Sequence, residues 1–112
     1  MEIEFANRKL RKRLEEQKQL QKLYGQLAKP LRLRLALLRQ VDYLADVPRV
    51  PPPRCHQLKE DRHGQFAVDL KDQWRLIFEP ANEPLPILEN GTLDLKNVTR
   101  VRVLEIVDYH KG

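Results

Sequence analysis

The chain changes its hydrophobic rhythm near its middle. Up to residue 45 the apolar positions recur at helical steps; beyond residue 53 they fall into short alternating runs. Ahead of the helical region, Ile3 and Phe5 alternate with Glu2 and Glu4, which predicts a short strand over 2–5. Asn7 is placed to cap a helix, since its side-chain oxygen can accept from the free amides of a first turn. Leu10, Leu14, Leu20, Leu23, Tyr24 and Leu27 carry the apolar stripe of that first helix, and Gly25 supplies a stop or kink. The run Leu31-Arg-Leu-Arg-Leu35 alternates locally. In the wider window, however, Leu27, Leu31, Leu35, Leu38, Val41 and Ala45 step by three or four over more than a strand's length. This predicts a second helix over 29–45, with Pro30 tolerated near its start.

Pro48 and the run Pro51, Pro52, Pro53 forbid a regular ladder and predict a stiff extended connector. Strands are predicted over 54–58, 65–70 and 74–79, with 71–73 as a hairpin connection. Trp74 and Phe78 should face the core, opposite to Arg75. Pro80, Pro84 and Pro86 then interrupt the pattern, so 80–99 reads as a loop or hairpin excursion turning at Asn90-Gly91. The run 101–107 is the strongest strand, with Val101, Val103, Glu105 and Val107 predicted on one face. Helices followed by strands predict an α+β fold. One domain over 1–112 is expected, with an N-terminal strand and two helices packed on one face of an antiparallel sheet.

Charge adds a direction. Residues 1–40 hold 11 Lys and Arg against 4 Asp and Glu, or +7, whereas the remainder is slightly acidic and the whole chain is +5. A basic half favours a polyanionic partner such as nucleic acid or the ribosome. A single cysteine, Cys55, excludes a disulfide-stapled domain. The chain opens on charge rather than on a signal-like apolar run, and no stretch approaches the about 20 apolar residues of a membrane span. A cytoplasmic protein without membrane association is expected.

The chemistry available is narrow. The chain contains no serine, which excludes serine hydrolysis, and its four glycines are not clustered into a phosphate-cradling loop. Cys55, His56 and His63 match no paired zinc spacing, so no metal or cofactor is expected. Cys55 should be inert and His63 a loop residue beside Gly64. What remains is His, Lys, Arg, Tyr and Asp near strand ends. These can serve metal-free RNA cleavage, in which a base activates the 2′-hydroxyl, cations stabilise the crowded phosphate and an acid protonates the leaving oxygen.

Cys55-His-Gln-Leu-Lys59, Asp61-Arg-His-Gly-Gln-Phe66, Gln73-Trp-Arg-Leu-Ile-Phe78 and Val103-Leu-Glu-Ile-Val-Asp-Tyr-His110 occur in order over 54–110. Together they resemble the HigB-like killer toxins of the RelE/ParE superfamily of type II toxin–antitoxin systems. The resemblance implies a ribosome-dependent mRNA endoribonuclease, neutralised by a cognate antitoxin that is expected to be a small helix-turn-helix protein. It further implies catalytic roles for His56, Lys59, Arg75, Asp108, Tyr109 and His110 on the concave face of the sheet. Lys59 and Arg75 would stabilise phosphate, His110 would donate the proton, and His56 or Asp108 would act as base. Arg8, Lys9, Arg11, Lys12, Arg13, Arg32, Arg34 and Arg39 cannot all point to one site and are assigned to RNA or ribosome docking. Two features depart from the compact pattern: the 80–99 excursion and the long basic first helix. A ParE-like gyrase poison shares the fold but generally lacks the acid–base set. A non-enzymatic basic nucleic-acid-binding domain rests on charge alone and has few aromatics for stacking, 6%.

Overall fold

The computed structural model describes residues 1–109. Strand β1 (Glu2–Phe5) leads into helices α1 (Arg8–Glu15), α2 (Gln17–Tyr24) and α3 (Ala28–Gln40). Strands β2 (His56–Gln57), β3 (Phe66–Asp69), β4 (Trp74–Pro80) and β5 (Arg100–Asp108) complete a five-stranded sheet of order β1-β5-β4-β3-β2. β1 runs parallel to β5, and the other neighbours are antiparallel. The fold is α+β.

The first helical stretch is two helices rather than one. Asn7 caps α1 as expected, its Oδ1 accepting from the Leu10 amide at 2.8 Å. Glu16 then turns extended, with φ −87° and ψ 113°. The reason lies in the leucine spacing: six residues separate Leu14 from Leu20, which would set them about 120° apart on an unbroken helix. The break lets both enter the core. Gly25, at φ +50°, ends α2 in a conformation glycine adopts without strain. α3 carries Pro30 in its first turn and buries Ala28, Leu31, Leu35 and Leu38. It stops at Gln40, short of the expected residue 45, because Val41 becomes extended. Leu44 then enters the core from a separate turn tied by its amide to the Val98 carbonyl at 3.0 Å.

The helices cover one face of the sheet. Phe66, Val68, Leu76, Phe78, Val101 and Val103 point into that core, and the Phe66 and Phe78 rings stack at 5.9 Å. Trp74 packs against the same side, as the alternation predicts. The expectation for β5 needs correction. Pairing passes from Ile77–Glu105 to Phe78–Val103 and skips Leu104, a β-bulge. One extra residue inverts the alternation, so Val101 and Val103 face the helices while Glu105 and Val107 face away.

Two connections also differ from expectation. The proline segment folds back into a turn instead of running extended: the Arg54 amide reaches the Val50 carbonyl and the Cys55 amide the Pro48 carbonyl. Arg54 at φ +44° leaves only His56 and Gln57 to pair, which shortens β2. The 80–99 excursion is closed at its neck by Asn82, whose Oδ1 accepts from the Thr99 and Arg100 amides at 3.0 Å each. Its small hairpin is reduced to the single bridge Ile87–Leu93.

Candidate functional site

The face of the sheet away from the helices holds the candidate site. Cross-strand register lays out three rows on it: His56, Ala67, Ile77, Glu105; then Asp69, Arg75, Val107; then Glu79 and Arg102 beside Glu4. Ala67 and Ile77 are fully buried and form an apolar floor between the charged rows.

His56 is oriented by its own loop. Its Nδ1 lies 2.8 Å from the Arg54 carbonyl oxygen. A carbonyl can only accept, so Nδ1 carries a hydrogen, and in the neutral ring the lone pair is then on Nε2. Arg54 in turn grips Asp69 with two hydrogen bonds, Nε to Oδ2 at 2.7 Å and Nη2 to Oδ1 at 2.9 Å. This hydrogen bonding raises the Arg54 pKa further, fixing its positive charge.

Arg75 sits directly opposite Asp69 on the neighbouring strand, with its side chain only 11% exposed. Its Nε lies 2.9 Å from Asp69 Oδ1, but the N–H is not directed at the oxygen, so the contact is an ion pair without an aligned hydrogen bond. Nη1 donates to the carbonyls of Asp72 and Trp74 at 3.2 and 3.0 Å. The Tyr109 ring lies 5.9 Å from the guanidinium carbon, within cation–π range. Arg34, reaching from α3, donates its Nε to the Asp69 carbonyl at 2.7 Å; burial lowers its pKa, with Asp69 acting in the opposite sense. One carboxylate therefore gathers two guanidinium groups at its oxygens, leaving the cluster net positive.

In its entirety this architecture matches a solved structure described as a YoeB/ParE toxin from Agrobacterium tumefaciens. The TM-score is 0.58, with 98% of this chain and 100% of that one covered. The fold is that of a YoeB/ParE toxin. Only 9% of residues are identical, so the likeness carries the fold and the chemistry is read from this chain's own side chains. No protein-family model and no curated protein matches the sequence.

The YoeB/ParE fold brings together some of the residues chosen from sequence and separates others. His56, Arg75 and Tyr109 gather around the open face. Asp108 pairs with Trp74 and so takes the helix side of β5, away from His56 and Arg75. Lys59 is exposed, three residues beyond His56, where the turn Glu60–Arg62 begins. His110 lies outside the described residues. Of the docking residues, Arg8, Lys9, Arg11, Lys12, Arg32 and Arg39 are exposed, with Arg11 paired to Glu15 at 3.0 Å. Arg13 is half-buried, and Arg34 is engaged internally. Cys55 is buried, and burial pushes its thiol up to about 11, so it stays protonated. His63 lines a cleft of about 650 Å³ between the 80–99 excursion and Gln57, Gln65 and Glu79. Among the described residues no helix is long and apolar enough to cross a membrane, and no three His, Cys, Asp or Glu side chains cluster as metal ligands.

Sequence reading misses Arg54 and Asp69. The second is recoverable: a hairpin turning at 71–73 sets Asp69 opposite Arg75, an opposite-charge cross-strand pair. Nothing in the sequence announces the left-handed conformation of Arg54.

Proposed function

We propose that this chain is the toxin of a type II toxin–antitoxin system and acts as a HigB-like, ribosome-dependent mRNA endoribonuclease. The supporting observation is the placement of His56, with its Nδ1 held by the Arg54 carbonyl, and a net-positive arginine cluster on the sheet face away from the helices. An accepting nitrogen beside fixed cations suits attack of a ribose 2′-hydroxyl on its own phosphate. His56 Nε2 takes the hydroxyl proton while the new O–P bond forms. Arg75, with Lys59 at the rim, offsets the charge that builds on the phosphoryl oxygens. The bond to the 5′-oxygen breaks, and that oxygen takes a proton from His110, the donor implied by the resemblance. The products are a 2′,3′-cyclic phosphate and a 5′-hydroxyl end. Asp108 drops out as base because its strand position faces the helices. All the groups this reaction needs are side chains, so it requires no metal.

The exposed basic residues of α1 and α3 would dock on ribosomal RNA in the cytoplasm, and a cognate antitoxin would neutralise the protein. The test is to add purified protein to a translating extract and, separately, to a DNA gyrase supercoiling reaction. The proposal expects mRNA cut on the ribosome and supercoiling unaffected. Inhibited supercoiling with intact mRNA would establish the ParE-like reading instead. Nucleic-acid binding without either effect would reduce the protein to a basic binding domain.

A further inference from the structure

We infer that Arg54 serves the site twice, with Asp69 as the positioning residue behind both roles. Its guanidinium joins that of Arg75 in a two-arginine seat for a phosphodiester, and its carbonyl holds His56 in the Nδ1–H tautomer. That the anion is an RNA phosphodiester rests on the endoribonuclease reading; the geometry of the seat does not.

Three observations converge on this. First, Arg54 occupies the left-handed region at φ +44°, which L-residues with a side chain avoid. Such a backbone persists only where its surroundings over-determine it, and such sites cluster at functional centres. Second, Asp69 supplies that determination from three directions. Its amide donates to the Pro53 carbonyl at 2.7 Å, its carbonyl accepts from Arg34, and its carboxylate takes both Arg54 nitrogens. Residues 53 and 54 are thereby pinned to the end of β3, and the Arg54 carbonyl is aimed at His56.

Third, the hydrogen-bonding capacity of the two arginines is only partly used. Arg54 engages Nε and Nη2, and Arg75 engages Nη1 and rests Nε against Asp69. Arg54 Nη1 and Arg75 Nη2 have no partner among the described residues. Because Arg54 Nη2 and Arg75 Nε both contact the same oxygen of Asp69, the two guanidinium groups are neighbours. Two adjacent, pre-oriented forks with donors to spare suit the non-bridging oxygens of one phosphate. The base and the cation seat then share a single anchor, so moving Asp69 disturbs both.

The experiment uses readouts that do not depend on cleavage. Nitrogen NMR of the imidazoles reports the His56 tautomer, and titration with a single-stranded oligodeoxynucleotide, which lacks the 2′-hydroxyl, reports anion binding. In the wild type His56 is expected in the Nδ1–H form. Arg54→Gly accommodates the left-handed backbone but loses the guanidinium and its tie to Asp69, so oligonucleotide affinity should fall about tenfold and His56 should show mixed tautomers. Asp69→Asn should lose both, giving mixed tautomers and a similar fall in affinity. An Nε2–H tautomer in the wild type overturns the inference without any variant. So does an Arg54→Gly protein that binds as tightly as wild type, or an Asp69→Asn protein whose His56 is unchanged. Intact tautomer and binding effects in a protein that cuts no mRNA would leave this inference standing and remove the nuclease reading.

Discussion

Arg34 and Asp69 are joined at the end of β3: Arg34 Nε, coming from the helix side, donates to the Asp69 carbonyl at 2.7 Å. The Asp69 carboxylate meanwhile faces the open side and holds Arg54 and Arg75. A helix residue that sequence reading groups with docking cations is thus part of the support beneath the candidate site. Replacing Arg34 by Met should lower the unfolding free energy by about 1–3 kcal/mol, because a strand-end carbonyl loses a charged donor. Arg32→Met, at an exposed neighbour, should stay within about 0.5 kcal/mol. Urea unfolding of the two variants checks this; equal effects would make Arg34 an ordinary surface cation.

The bulge at Leu104 decides which β5 residues reach the open face. Deleting Leu104 makes Val103 and Glu105 neighbours, as their pairing with the adjacent residues Phe78 and Ile77 requires of a regular ladder, so the two halves of β5 can both keep their faces. Val101 and Val103 stay in the core, and Glu105 and Val107 stay on the opposite face. The expected result is a cooperatively unfolding protein that keeps the Arg62–Glu105 ion pair, which stands at 3.0 Å in the native protein. Loss of cooperative unfolding, or of that ion pair, would contradict Leu104 as the extra residue of the bulge.

That bulge also marks where the sequence stops being legible. Hydrophobic periodicity recovers α3, the β3–β4 hairpin and the α+β class, since these depend on residue spacing and turn chemistry alone. It misplaces Glu105, because Val101 to Val107 alternates evenly in sequence and nothing local signals an inserted residue. It reads α1 and α2 as one helix, although the six-residue step from Leu14 to Leu20 is visible. His56 and Arg75 are reached through resemblance. Arg54 is not, because its contribution depends on a backbone conformation and a carbonyl rather than on a residue type in a motif.

Cys55 gives a pH prediction. Burial raises its folded pKa to about 11 from an ordinary value of 9.0. Below about 9 the thiol is protonated whether folded or unfolded, and its contribution is fully present. Between 9 and 11 the unfolded chain ionises first, so stability falls as pH rises, by roughly 2–3 kcal/mol across the window. Comparing Cys55→Ala with wild type in urea at pH 8 and pH 10.5 isolates this residue from other alkaline titrations. The variant should lose less stability than wild type between the two pH values; parallel losses would contradict it.

The exposed cations of α1 should act in docking and not in chemistry. Reversing Arg8, Lys9 and Lys12 to Glu is expected to weaken ribosome binding and flatten its salt dependence, by about one unit of slope for each phosphate no longer neutralised. Cutting of mRNA already bound should proceed at the wild-type rate. Ribosome co-sedimentation at several salt concentrations measures the first, and a single-turnover assay the second. Unchanged sedimentation at every salt concentration would place docking elsewhere.

The most direct test is the single-turnover rate of mRNA cleavage on ribosomes by wild type and His56→Gln. Glutamine can still donate to the Arg54 carbonyl, but it cannot accept a proton as a base. With circular dichroism showing equal folding, the variant should cut roughly a hundred- to ten-thousandfold more slowly. Cleavage by His56→Gln at the wild-type rate would contradict the assignment of His56 as the base, and with it the central claim.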